Sequence, residues 1–125
     1  MTTRRPETVL LVDPFVDERE MFSAYLEAVG FRVIAAATTQ IPLDWTPDVI
    51  VNRAGRGIAA SLALVRRMRQ SHLTRHTPII LLTTNGYSDR AIATQAGCDL
   101  VVLLPVFPED LAAAISRLVD HPHAA

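Results

Sequence analysis

A guanidinium stands where a buried strand meets solvent: Arg53 closes the run Pro47-Asp48-Val49-Ile50-Val51-Asn52. In open α/β sheets, ligands and chemistry collect at the carboxyl ends of strands. A cation in that position repels metal ions and attracts carboxylates or anions. Arg56 shares the placement, in the loop Ala54-Gly55-Arg56-Gly57, as do Thr83, Thr84 and Asn85 after Pro78-Ile79-Ile80-Leu81-Leu82. Arg53, Arg56, Thr83 and Thr84 therefore form a candidate site for a small anion or a nucleotide phosphate. The loop lacks the Gly-Lys-Ser/Thr ending of a phosphate loop. Asp13 ends a third apolar run, Val9-Leu10-Leu11-Val12, at the same edge. Two placements of Arg53 are open: an internal ion pair with Asp13, or a guanidinium extended into solvent from the sheet edge. All 12 basic side chains are arginines, which excludes any mechanism needing a lysine.

No Ser-His-acid or Cys-His arrangement is visible, so no catalytic residue is assigned and the chain is read as a non-enzyme. His72 and His76 flank a helix-to-strand loop, where exposure is the default. His121 and His123 lie in an Ala/His/Pro tail without a third ligand, so no metal and no cofactor is assigned. The lone Cys98 cannot form an internal disulfide, and after Ala96-Gly97 it reads as a buried structural thiol. With a formal net charge of -1, counterion-release binding to nucleic acid is not expected. Arg66, Arg67 and Arg69 read as the solvated face of a helix striped by Leu62, Val65 and Met68. No apolar run approaches a membrane span, and residues 1–7 lack the apolar stretch of a signal peptide. These features predict one globular, cytoplasmic domain over residues 1–125, with its core at about 8–119.

Elements must hold these side chains in place, and the apolar periodicity supplies them. Val9–Val12, Arg32–Ala35, Asp48–Asn52, Pro78–Thr83 and Leu100–Leu103 are short runs of the kind covered on both faces in a parallel sheet. Phe22, Tyr25, Leu26 and Val29 mark a helix that stops at Gly30. Ser88 is the expected N-cap of a helix running to Ala96, and Leu111, Ala114, Ile115 and Leu118 stripe a last one. Ala36–Thr46, broken by Pro42, carries a weak helical signal: the second helix is short, irregular or a loop. Trp45 reads as a packing residue at the amino edge or as a dimer contact. Five βα units follow, in a doubly wound α/β sandwich with right-handed crossovers.

The segments Val9-Leu10-Leu11-Val12-Asp13, Pro47-Asp48-Val49-Ile50-Val51, Pro78-Ile79-Ile80-Leu81-Leu82-Thr83, Ala96-Gly97-Cys98-Asp99 and Leu104-Pro105, in this order and spacing, resemble the receiver domain of bacterial two-component response regulators. The resemblance implies a flavodoxin-like (CheY-like) five-stranded parallel sheet of order 2-1-3-4-5. It also implies transfer of a phosphoryl group from a histidine kinase to an aspartate, helped by Mg²⁺ on an acidic pair, a hydroxyl and a lysine. Asp13 matches the first acid and Thr83 the hydroxyl, but Pro14 stands at the second acid and Leu104, before Pro105, at the lysine. Arg53 stands at the acceptor position; an offset of one residue would place Asn52 there, and neither side chain accepts a phosphoryl group in that way. The chain is accordingly expected to be a degenerate receiver. It would bind signalling partners without phosphorylation: a histidine kinase, an output domain or a second receiver copy as a homodimer, but no nucleic acid or membrane. By resemblance, the partner face comprises Ala91, Thr94, Gln95 and Val106 to Asp110.

Overall fold

The computed structural model describes residues 6–120. The strands are β1 (Thr8–Val12), β2 (Arg32–Ala36), β3 (Val49–Arg53), β4 (Ile79–Thr83) and β5 (Leu100–Leu103). The helices are α1 (Val16–Ala28), α2 (Ala59–Gln70), α3 (Gly86–Ala96) and α4 (Pro108–Asp120). All strand pairs are parallel, in the order β2-β1-β3-β4-β5, as expected. β1, β3 and β4 are buried on both sides because helices cover both faces. Phe22, Leu26, Leu111 and Ile115 close one core, and Leu62, Val65, Met68 and Ala93 close the other.

Two local expectations are corrected. α1 ends at Ala28, and Val29, placed on its buried face by periodicity, is half exposed. Gly30 takes the turn at a φ of 108°, which L side chains rarely adopt. α3 begins at Gly86 after Asn85, so Ser88 lies inside the first turn, its hydroxyl on the Asn85 carbonyl at 3.3 Å.

Of the five βα units, the second has no helix. Between β2 and β3 the chain runs as a loop whose Ile41, Leu43 and Trp45 pack against the core beside α2. Two carbonyls of this segment are satisfied by Arg67, through Nη1 to Thr39 at 3.1 Å and Nη2 to Ile41 at 2.8 Å. Arg67 remains exposed, on the solvated face expected of it, while making these two bonds.

Arg69 departs from that reading. It is half-buried, with Nε and Nη2 on the Gly97 carbonyl at 3.0 and 2.8 Å. Nη1 reaches Thr74, Arg75 and Thr77 carbonyls at 3.3, 3.1 and 2.7 Å, and Nη2 also meets Asp99 at 2.9 Å. A Cβ on Gly97, whose φ is 122°, would meet Arg69 Cγ at 2.8 Å, so backbone and packing both require glycine there. Of the three, Arg66 and Arg67 are exposed and Arg69 is not. His121 and His123 lie outside the described residues.

Candidate functional site

Strand register brings the site together. Val12 pairs with Asn52 in β1–β3, so one residue further on Asp13 stands beside Arg53. Arg53 neither pairs with Asp13 nor extends into solvent. Its Nε donates to Glu18 Oε1 at 2.8 Å, its Nη1 to the Ala54 carbonyl at 2.6 Å, and its guanidinium lies 4.5 Å from the Phe15 ring centroid. Only 13% of the Arg53 side chain remains exposed. The reason lies in how Asp13 is used. Its Oδ1 accepts the Phe15 N–H at 2.9 Å, which turns the carboxyl back onto its own chain. Glu18, in the first turn of α1, is longer and meets the guanidinium instead. Arg19 fixes the same turn by donating to the Asp13 carbonyl at 2.8 Å.

Asp13 is fully buried, and its Oδ2 has no hydrogen-bond partner among the described residues. Burial, first, and the neighbouring Glu18 carboxyl, second, push its pKa up to about 7; the Phe15 N–H and the more distant Arg53 charge oppose the rise. A hard divalent cation wants about six oxygen ligands. Here one carboxyl is held by a guanidinium, the other is buried with a single uncommitted oxygen, and Pro14 contributes no side-chain ligand. Among the described residues no group of three or more His, Cys, Asp or Glu side chains is placed to hold a metal. This donor set does not fit Mg²⁺.

Thr83 Oγ1 donates to Asp89 Oδ2 at 2.7 Å and accepts the Asn85 N–H at 3.1 Å, both side chains being buried. Its hydroxyl is thereby spent on the first turn of α3. Thr84 is exposed and lines a groove of about 460 Å³ with Arg53, Leu104 and Phe107. Leu104 packs against the α1–α4 side of the core, and its peptide bond to Pro105 is cis. Arg56 is exposed and has no ion pair among the described residues. The expected cluster of Arg53, Arg56, Thr83 and Thr84 therefore does not converge on one point.

Residue types alone did not reveal Glu18, which reads as an ordinary first-turn acid, or Asp89. Their partners lie 35 and 6 positions away respectively. Cys98 is buried, and burial pushes its thiol up to about 11, in keeping with a structural role. His72 and His76 are exposed, and Trp45 is half-buried against the core.

No protein-family model matches the chain. It is similar to the phosphate regulon transcriptional regulatory protein PhoB of Pseudomonas aeruginosa, 30% identical over 118 residues, which are 90% of this chain and 52% of that protein. The chemotaxis protein CheY of the same organism is 26% identical over 90% of this chain and 95% of its own length. The chain spans about half the length of the first curated relatives it matches. Among solved structures, the chemotaxis response regulator CheY4 of Vibrio cholerae superposes with a TM-score of 0.82 at 25% identity, covering 91% of this chain and 99% of that one. The receiver domain of a Pseudomonas aeruginosa sensor histidine kinase, with magnesium coordinated in its active-site cleft, superposes with a TM-score of 0.82 at 23% identity. That match covers 93% of this chain and 99% of the other, and shows the fold.

Proposed function

We propose that this chain, similar in sequence and fold to receiver domains of the two-component type, is such a domain and signals without phosphorylation of its own acceptor position. The observation that carries this reading is the fixing of Arg53. A guanidinium stands at the acceptor position of the resemblance, held by Glu18, the Ala54 carbonyl and the Phe15 ring. An arginine side chain offers no carboxylate oxygen to a phosphoryl donor, and its pairing consumes an acid that a metal would need. Pro14 and Leu104 remove two further parts of the phosphotransfer chemistry, a metal ligand and the cation for the developing phosphoanion. Arg53→Asp alone is therefore not expected to restore phosphotransfer.

The domain then acts through its surface, as an interaction module in two-component signalling. Its partners are a histidine kinase, an output domain or a second copy of the chain. On α3, Ala91, Thr94 and Gln95 are exposed beside the fully exposed Tyr87, and Leu103 on β5 and Phe107 before α4 are more than half exposed. These residues supply the apolar and small side chains of a docking face. No helix among the described residues is long and apolar enough to cross a membrane.

Incubation with Mg²⁺ and acetyl phosphate, followed by intact-mass measurement, tests the reading. The expected result is an unmodified chain. A stable phosphorylated species would overturn it.

A further inference from the structure

A cavity of about 250 Å³ opens where the β1–α1 turn, the segment after β2 and the start of α2 meet, walled by Val12, Pro14, Thr38, Thr39, Arg53 and Ala60 among others. Its walls carry one cation, Arg53, and no carboxylate-bearing residue. Nε and Nη1 of Arg53 are committed to Glu18 and the Ala54 carbonyl, whereas Nη2 has no partner among the described residues. Thr38 Oγ1 accepts the Gln40 N–H at 3.2 Å, which leaves its own proton available to donate. Ser61 is not available in the same way, because its hydroxyl bonds Asn52 Oδ1 at 3.3 Å. The cavity thus offers donors from Arg53, Thr38 and Thr39, with Pro14 and Ala60 as apolar surface.

We propose that this cavity binds a small organic monocarboxylate, its carboxylate on Arg53 Nη2 and the threonine hydroxyls and its short alkyl part against Pro14 and Ala60. Charge selects the class. Glu18, paired with the guanidinium, repels any anion bound there, and repels a phosphate dianion about twice as strongly as a monocarboxylate. A neutral amide of the same shape forfeits the charge-assisted bond, which is roughly twice as strong as a neutral one. The apolar walls favour an organic acid over an inorganic anion. None of this depends on a signalling partner or on the loss of phosphotransfer.

Amide NMR spectra of the whole chain, recorded with butyrate, butyramide and inorganic phosphate, provide the test. Butyrate should shift the amides of Thr38, Thr39 and Gly55 with half-saturation near about 1 mM, as one charge-assisted bond and a few buried carbons allow. Butyramide and phosphate should bind at least about tenfold more weakly, a difference of about 1.4 kcal/mol. Ala60→Leu, at an exposed helical position that tolerates leucine, should fill the cavity and abolish the shifts while leaving the rest of the spectrum in place. Equal binding of butyramide, equal or tighter binding of phosphate, no butyrate shifts at these amides, or shifts that persist in Ala60→Leu would each overturn the assignment.

Discussion

Arg69 at the amino end of the sheet and Arg53 at the carboxyl end are both half-buried arginines beside a carboxylate, yet they are used differently. Arg69 engages all three guanidinium nitrogens, mostly with backbone carbonyls of the loops entering β4 and β5. Arg53 meets one side-chain acid, one carbonyl and one aromatic face. A saturated guanidinium is a structural clamp, because every neighbouring carbonyl depends on it. A partly committed one, next to a buried acid with an orphaned oxygen, is where the molecule retains chemical freedom. The contrast separates scaffold from site more clearly than burial does.

The two ends should also respond differently to pH, and this is the largest expected effect. Asp13 has its folded-state pKa raised to about 7 from 3.8, so the native state holds a proton that the unfolded chain releases earlier. Its contribution is fully present below about pH 4 and is lost as pH rises to about 7. At about 1.4 kcal/mol per pH unit, the loss reaches at most about 4 kcal/mol. Urea unfolding across this range should show stability falling with pH in the native chain and a flatter profile in Asp13→Asn. An unchanged slope in that variant would remove the carboxyl end's special status.

Next in size is Arg69→Ala, expected to cost about 3 kcal/mol by stranding the carbonyls of Thr77 and Gly97 and the carboxylate of Asp99. Arg69→Lys should recover little of it, since an ammonium cannot reproduce the planar fork. The shift of the urea midpoint measures both. Arg53→Ala should cost less, about 1–2 kcal/mol, because Glu18 is partly exposed and can be solvated once its partner is gone. If Arg53→Ala destabilises as much as Arg69→Ala, the division into clamp and site fails.

The sheet was legible because strands covered on both faces must be apolar throughout, as Val9–Val12 and Ile79–Leu82 are. The missing second helix was also foreshadowed by Pro42 and the poor periodicity around it. The roles of the arginines were not legible. Arg67 and Arg69 bind carbonyls, which carry no residue-type signature, so a helix face that looks only solvated in sequence turns out to staple three loops. At the site, register could place Asp13 next to Arg53, but the choice of Glu18 depended on a hydrogen bond within the turn at Phe15. α1 ends one residue short of its apolar periodicity for a related reason: Gly30 dictates where the chain turns, and Val29 is carried outward with it.

The loop between β2 and β3 has a topological consequence. Because β1 lies between those two strands, the connection must pass across β1 to keep them parallel. Elsewhere in the sheet that passage is made by a helix, whose own twist favours one hand of the crossover. Here the route is set by three half-buried side chains packed against the core, Ile41, Leu43 and Trp45, and by Arg67 gripping the backbone from outside. The chirality of this one crossover is therefore written in anchor points rather than in secondary structure.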